Sequence, residues 1–560
     1  MEYRVAGVRA DTATTDRAPA PDVTDAAEGA TAPAGLRAEL VAVWLAAAAL
    51  FALTLSSVPA LTHDALVYLA DIEAGGHRLF HAHHLSYGVL AAAWLRGARA
   101  LGVDADPLHV VALLNAAGGA TVAALVQALL RVRAGASRAT ALAAVAGATL
   151  SFGVWFYSVS VEVYVLPLAV LLAATYVLTA PSLTTSRVAA VGMFSGIAVV
   201  GHEVHVLYAA AVVVVLLRDR ATFSRRLVVY GTAAAAVVVA AYAAVLAFAV
   251  RPGSARDGAD WLGGYATGGD FWVAPGAGTV PSAALGAGRS VVGGHFMFRL
   301  SAVRERAEAA FPDKSLGDEA FLVRQLPAPV AAALGLAALV ALVALSWVLV
   351  AGWRHRAELA LPARRMLAPL VTLIAAYGLF HLLWEPSNLE FWIPQATAAW
   401  IVAGVVATAP SPGGRRRTRV LAAAAALVGA VNLAGAIVPA LSEGNDIYAH
   451  RFASLAPLVG RRDVVVVDRA HLSLGYTRRH TDARPLAAEP LGEPFAVADV
   501  TRAAARTLAS GGTVVIDVLV LDDPSSEESE AVGEALADAY GDRWREVETA
   551  PGVTWMVVDP

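Results

Sequence analysis

Four separate stretches of this sequence carry acids and histidines next to long apolar segments. The residues concerned are Asp64, Glu162, the group His202, Glu203 and His205, and the pair Glu385 and Asn388. Ionisable groups at such places are costly and usually serve a function. Partial removal from water raises the pKa of a carboxylate, which makes it a better general base. We therefore expect these groups to form a site that binds a polar ligand and moves a proton.

Asp64 stands in the segment LTHDALVYLADIEAGG, just beyond the first apolar segment. One interpretation is a helix N-cap, because an aspartate before ALVYL can accept hydrogen bonds from unpaired backbone N–H groups. The other is a general base at the membrane surface. The two roles are compatible. Asp71 and Glu73 lie further along the same predicted helix and fit a solvated face.

Three histidines follow in the segment RLFHAHHLSYG, namely His81, His83 and His84, with Arg78 close by. Such a cluster could bind a metal, could hold a phosphate group while charged, or could simply tolerate a half-wet interface. The arginine adds a permanent positive charge, which favours a phosphate over a metal. We expect all four residues to contribute to substrate binding.

Glu162 interrupts more than forty otherwise uncharged residues, in the segment WFYSVSVEVYVLPL. The aromatic residues around it are typical of the belt that anchors helices at a membrane surface. No cation lies near the glutamate in the sequence. It is either solvated in a short turn or faces a site, and we predict the second.

The segment GHEVH differs from the zinc-protease pattern HExxH, because its histidines are three residues apart. That spacing still predicts one helical face for His202 and His205. A metal site remains possible here, but a hydrogen-bonded cluster that contacts a polar ligand fits equally well.

The last of the four stretches reads FHLLWEPSNLEFWIP, and Pro386 predicts a break in the helix. Aromatic rings beside carboxylates and an amide suit a sugar, since the rings cover its apolar face while polar groups bind its hydroxyls. An aromatic belt with solvated acids is the alternative. We expect Glu385 and Asn388 to bind substrate.

The elements that position these groups are predicted to be membrane helices. Apolar residues make up 58% of the 560 residues and charged residues 16%, whereas soluble domains carry roughly 25% charge. With no cysteine, disulfides, thiolate catalysis and Cys-ligated metals are excluded. About eleven apolar stretches approach the roughly 20 residues that cross a bilayer. They lie near 40–57, 108–130, 139–157, 163–180, 188–203, 204–217, 227–250, 328–351, 366–384, 391–409 and 419–440.

Arginine clusters follow every second span, which predicts a cytoplasmic N-terminus and places the acids and histidines outside. The segment 84–101 is read as an amphipathic interfacial helix, because counting it as a span would invert every later loop. The predicted fold is therefore mainly α, a polytopic transmembrane bundle with a small C-terminal α/β domain. Its parts are a disordered cytoplasmic tail over 1–35, a membrane domain over 36–440 with outer loops at about 58–107 and 251–327, and an extracytoplasmic α/β domain over 441–560.

These features resemble the GT-C superfamily of integral-membrane glycosyltransferases. The likeness lies in an acid outside the first span (Asp64), an interfacial helix opening HHLSYG, the EVY motif at Glu162, and a long outer loop after the seventh span. It covers roughly residues 40–410. The branches most similar to it are those of protein O-mannosyltransferases and lipid A aminoarabinose transferases.

The resemblance implies a polyprenyl-phosphate-sugar donor that enters from the membrane lipid and an acceptor, whether glycan, lipid or protein, that arrives from outside. It gives Asp64 the role of catalytic base and Glu162 a place in the site, with inversion at the anomeric carbon. The leaving phosphate needs positive groups, and the candidates are Arg78, His83, His84, His202 and Arg251.

The outer loop 251–327 contains no DxD motif, and we predict no cofactor and no bound metal, although a divalent cation stays possible. We expect a multi-pass protein of the cell membrane that binds no nucleic acid. The alternatives are a transporter or flippase of a lipid-linked glycan, which would carry polar groups near the bilayer midplane, and a non-catalytic anchor for the C-terminal domain.

Overall fold

The computed structural model describes residues 35–267, 271–310, 316–410, 413–489, 497–522, 524 and 526–560. The predicted disordered tail lies outside these ranges, apart from residue 35. The outer loop 251–327 and the C-terminal domain are described with short gaps.

Long apolar helices dominate the first 440 residues, as the composition predicts. Within the described ranges, seven are long and apolar enough to cross a membrane: Leu36–Leu53, Pro107–Arg133, Phe223–Val250, Ala328–Trp353, Leu361–His381, Leu389–Ala407 and Gly414–Ala440. A bent helix pair raises this number to eight if it forms one span. The predicted count of eleven is not confirmed. Three further apolar helices, Val165–Leu178, Thr185–Gly201 and Glu203–Leu216, are shorter than the roughly 20 residues of a full span.

The third predicted span is broken rather than straight. Helices Arg138–Leu150 and Phe152–Ser158 meet at 64°, and Ser151 between them has an extended backbone. The Ser151 hydroxyl donates to the Gly147 carbonyl at 2.7 Å and accepts from the Trp400 indole N–H at 2.9 Å. The bend aims the second helix towards the loop that carries Glu162.

The segment predicted to lie in the interface forms the helix Tyr87–Ala100. Its 14 residues rise about 21 Å, which is too short for a hydrocarbon core of about 30 Å. Ala91, Ala92 and Leu95 are buried on one side, while Arg96 and Arg99 are exposed on the other. This pattern is that of an amphipathic helix.

The long outer loop is largely helical. Its helices are Ala255–Thr267, Thr279–Val292, His295–Arg299, Ser301–Ala310 and Gly317–Leu322. The helices Thr279–Val292 and His295–Arg299 are separated by Gly293 and Gly294. Both glycines have positive φ, at 58° and 92°. Residues that carry a Cβ rarely adopt this backbone conformation.

The C-terminal region forms a five-stranded sheet in the order β2-β1-β3-β5-β4. The strands are β1 Val464–Arg469, β2 Arg484–Glu489, β3 Val514–Asp517, β4 Trp544–Ala550 and β5 Val553–Val558. The first three are parallel, and β5 pairs antiparallel with both β3 and β4. Around the sheet lie the helices Ile447–Leu455, Ala470–His480, Val497–Ala509 and Glu527–Tyr540. The predicted α/β domain is thus confirmed as a fold.

Candidate active site

A cavity of about 310 Å³ gathers residues from five separate parts of the chain. Its polar lining residues are Asp64, Tyr68, His83, His84, His202, Glu203, His381 and Glu390. Its aromatic wall is formed by Tyr164, Trp272, Phe380, Trp384 and Phe391. The structure therefore brings together Asp64, two histidines of the first outer loop and the His202–Glu203 pair, as expected from the sequence.

Asp64 is placed by a tight turn. It follows the 3-10 turn Pro59–Thr62 and stands at the N-cap position of the helix Ala65–Ala74, but its side chain makes no capping hydrogen bond. Its backbone N–H donates to the Thr62 carbonyl at 2.7 Å, and its carboxylate accepts from the Tyr68 hydroxyl at 3.4 Å. Because the carboxylate does not cap the helix, it is directed to the cavity, where Asp64 is exposed.

Glu162 lies immediately behind the wall of the cavity. Only 1% of it is exposed, and its neighbours Val163 and Tyr164 line the cavity in its place. The Asn115 amide fixes the local backbone by donating to the Glu162 carbonyl at 2.6 Å. Burial raises the pKa of Glu162 well above its ordinary value, and the charges of Glu390 and Asp64 raise it further. The three carboxylates are therefore close enough to influence one another.

Glu390, rather than the predicted Glu385, is the acid of the last outer turn that reaches the cavity. Its carboxylate accepts from the Tyr157 hydroxyl at 2.8 Å and from the Asn388 amide at 2.9 Å. Glu385 instead has a positive φ of 39° and accepts from the Asn388 amide at 3.0 Å. Asn388 does not line the cavity but orients the acid that does. The sequence contains one signal for Glu390: the aromatic residues Phe391 and Trp392 follow it directly, which places it at the start of a buried helix.

The histidines of the cavity are packed against one another and against Tyr68. His84 Nε2 and the Tyr68 hydroxyl are 3.0 Å apart, and the ring centroids of His83 and His84 are 4.1 Å apart. Burial lowers the pKa of His83 to about 4, with a smaller effect from His81. Burial likewise lowers the pKa of His84 well below its ordinary value. Both rings are therefore neutral near pH 7. They cannot bind a phosphate as cations, as predicted from the sequence, but they can donate hydrogen bonds to it.

The remaining predicted binding residues are not among those that line this cavity. His81 hydrogen-bonds Asp71 at 3.1 Å, and His205 hydrogen-bonds the Tyr377 hydroxyl at 2.9 Å. Arg251 is exposed, and its Nε donates to the Phe248 carbonyl at 3.2 Å. Arg78 is also exposed and is not among the lining residues. Of the described residues that line the cavity, none is an arginine or a lysine.

The GHEVH segment does not form a single helical face. His202 has an extended backbone and ends the helix Thr185–Gly201, and the 3-10 helix Glu203–Tyr208 starts after it. The break turns His202 and Glu203 to the cavity, while His205 points at Tyr377. In the described parts of the chain, no three His, Asp or Glu side chains are arranged to hold a metal ion.

The outer loop supplies part of the aromatic wall. Its backbone pairs with the last outer turn, where the Val273 N–H donates to the Leu383 carbonyl at 2.9 Å and the Glu385 N–H donates to the Phe271 carbonyl at 3.0 Å. The rings of Trp272 and Trp384 meet edge to face with their centroids 4.9 Å apart. The loop therefore closes one side of the cavity.

The neutral state of His83 predicts a loss of stability at acid pH. The folded-state pKa lies below the unfolded value of 6.5, so between about pH 6.5 and 4 the unfolded chain binds a proton that the folded protein does not. This linkage costs about 2 kcal/mol between pH 7 and pH 5. We expect the thermal unfolding midpoint in detergent to fall over that interval, and to fall less in His83→Gln. His77→Gln, which changes an exposed histidine, is the control, and its unfolding midpoint should fall as much as that of the wild type. An equal fall of the midpoint in His83→Gln would contradict a neutral His83.

Comparison with known proteins finds similarity in structure but none in sequence. No family model matches the sequence, and no curated protein matches it. ArnT from Cupriavidus metallidurans in the apo state aligns with a TM-score of 0.54 and 12% identity, covering 94% of this chain and 98% of that one. The same protein bound to undecaprenyl phosphate aligns with a TM-score of 0.52 and 12% identity, covering 93% and 97%. Nearly the whole of each chain is matched, and this chain therefore has the fold of ArnT.

Proposed function

We propose that this protein is a membrane glycosyltransferase that moves a sugar from a polyprenyl-phosphate-linked donor to a hydroxyl group of an extracytoplasmic acceptor. The observation that carries the proposal is the meeting of Asp64, Glu390 and neutral histidines in one cavity with an aromatic wall. A sugar needs such a mixture, with rings for its apolar face and carboxylates for its hydroxyl groups. The ArnT structure with bound undecaprenyl phosphate supports a lipid-linked donor on this fold.

Asp64 is the general base in this proposal. The acceptor oxygen attacks the anomeric carbon, its proton passes to the Asp64 carboxylate, and the bond from the anomeric carbon to the phosphate oxygen breaks. One displacement inverts the anomeric centre. Asp64 suits the role because it is the exposed acid of the cavity, whereas Glu162 is almost fully buried and its raised pKa disfavours its charged form.

The leaving phosphate is held by hydrogen bonds in this proposal. Negative charge develops on the phosphate as the bond breaks, and donors aimed at that charge stabilise the transition state. His83, His84 and His202 line the cavity and can each donate a ring N–H. The described lining includes no permanent cation, so the donor brings its charge into a site that already contains carboxylates. We infer that a histidine takes up a proton, or that a soluble cation accompanies the donor, when the phosphate enters.

The proposed orientation places the cavity and the C-terminal domain outside the cell membrane and the N-terminus in the cytoplasm. The arginine clusters between apolar helices support this orientation. The acceptor then reaches the cavity from the aqueous side and the donor from the lipid.

Transfer can be tested directly in proteoliposomes. The purified protein is incubated with undecaprenyl-phosphate-linked pentoses and hexoses and with membrane extract as acceptor, and lipid products are followed by mass spectrometry. We expect protein-dependent release of undecaprenyl phosphate from at least one donor. Movement of the intact donor between leaflets without release would favour a flippase and contradict the proposal.

A further inference from the structure

The C-terminal domain packs directly on the helix that follows Asp64. Leu66, Leu69 and Ile72 of that helix share one buried hydrophobic cluster with Phe452 and Tyr476 of the domain. A Cβ on Gly475 would lie 2.8 Å from the Leu66 Cβ, so the domain approaches this helix as closely as a glycine permits. The C-terminal domain therefore supports the start of the helix Ala65–Ala74 from the aqueous side.

A single buried carboxylate joins the two parts. Asp446 is 1% exposed, and its Oδ1 accepts from the N–H groups of Tyr448 at 2.9 Å and Ala449 at 3.0 Å, which caps the helix Ile447–Leu455. Its Oδ2 accepts from the Tyr476 hydroxyl and, across 386 residues of sequence, from the Ala60 N–H at 3.4 Å. Asp446 thus ties the domain to the backbone of the Pro59–Thr62 turn.

That turn fixes the position of Asp64. The Ala60 carbonyl accepts from the His63 N–H at 3.1 Å, and the Thr62 carbonyl accepts from the Asp64 N–H at 2.7 Å. His63 has a φ of 59°, a left-handed conformation that persists in a residue with a Cβ only when its surroundings impose it. The His63 ring is also 3.5 Å from Asp318 of the outer loop. A shift at Ala60 would therefore reach Asp64 within four residues.

We propose that Asp446 and Tyr476 are positioning residues, and that the C-terminal domain is a working part of the active site because it holds the turn that aims Asp64. This inference rests on the proposed role of Asp64 as base. In Asp446→Asn the amide oxygen keeps the cap of the helix Ile447–Leu455 and the NH₂ group takes the place of Oδ2, so the Ala60 N–H loses its acceptor. The turn then relaxes while the donor-binding histidines keep their places.

The test compares Asp446→Asn and Tyr476→Phe with Asp559→Asn, which removes only an exposed ion pair with Arg545 at the far edge of the sheet. We expect both positioning variants to lower kcat about tenfold or more and to change the donor KM less than about twofold. In an Asp64→Asn background the same changes should cause no further loss, because they act through Asp64. Asp559→Asn should retain wild-type kcat.

Hydrogen exchange measured by mass spectrometry tests the geometry without any turnover. We expect faster exchange in the peptide 58–68 of Asp446→Asn, with strands β1 and β3 protected as in the wild type, which separates release of the turn from unfolding of the domain. Unchanged protection of 58–68, or a loss of kcat that adds fully to that of Asp64→Asn, would overturn the inference. If no sugar donor is used at all, the proposed function fails while the exchange result still decides whether Asp446 holds the turn.

Discussion

Asp64→Asn is expected to lower kcat by about 10²- to 10⁴-fold, the usual contribution of a general base. The asparagine keeps the shape of the side chain, and its amide oxygen can still accept a hydrogen bond from the Tyr68 hydroxyl, which lies 3.4 Å from the carboxylate. Since Asp64 is exposed and does not cap its helix, the loss should come from chemistry and not from folding. Steady-state kinetics with a saturating donor, together with the thermal midpoint of the purified variant, measure both.

A matched control lies on the same helix. Glu73 is an exposed carboxylate that pairs with Arg99 at 3.1 Å, and exposed ion pairs of this kind are worth little. Glu73→Gln should retain kcat within about twofold of the wild type. Near-normal turnover in Asp64→Asn, at an unchanged protein level, would remove Asp64 as the base.

Glu390→Gln is expected to lower kcat/KM by roughly 10- to 100-fold. The two oxygens of Glu390 accept from the Tyr157 hydroxyl and the Asn388 amide, so a glutamine must point its NH₂ group at one of these donors or into the sugar site. An unsatisfied buried polar group costs about 1–3 kcal/mol, and the lost negative charge also weakens hydrogen bonds from sugar hydroxyls. Donor titrations at fixed acceptor will divide the loss between KM and kcat.

Glu385→Gln is the control for this variant, because Glu385 occupies the same turn but does not line the cavity. It also accepts from Asn388, at 3.0 Å, so any general loosening of the turn should affect both variants. We expect the loss in Glu385→Gln to be at least about five times smaller than in Glu390→Gln, because Glu385 accepts from Asn388 alone whereas Glu390 accepts from both Asn388 and the buried Tyr157. Equal losses would show that the turn matters only as a scaffold.

The overall fold could be predicted from the sequence because charge in a membrane protein is segregated by side. Apolar stretches and arginine clusters mark where helices run, and the structure confirms the helical bundle with its terminal sheet. The number of spans could not be obtained in this way. Hydropathy does not show where a helix breaks, and the 64° bend lies at Ser151, whose hydroxyl accepts a hydrogen bond from Trp400, 249 residues away.

The site was harder to derive because the backbone decides which of several neighbouring side chains faces the cavity. In the last outer turn Glu385 and Glu390 are equally polar in sequence, but only the second is directed inward. At GHEVH, helical spacing predicts one face for His202 and His205, yet the extended backbone at His202 directs only His202 to the cavity. Both differences arise at helix ends, where local sequence does not determine the direction of the chain.

The sequence also does not show which positively charged residues reach the cavity. Arg78 and Arg251 are candidate ligands of the leaving phosphate because of their positive charge, but neither lines the cavity. Burial also keeps His83 and His84 neutral near pH 7. The links between Asp446, Tyr476 and Ala60 were likewise invisible, since they join segments almost 400 residues apart that share no motif.

A cryo-EM structure of the protein with bound undecaprenyl phosphate would show whether the cavity holds the lipid phosphate. We expect phosphate density inside the cavity, within hydrogen-bond distance of His83, His84 or His202 and facing Asp64 and Glu390. Phosphate density outside the cavity, for instance against Arg78 or Arg251 with the cavity unchanged, would contradict it.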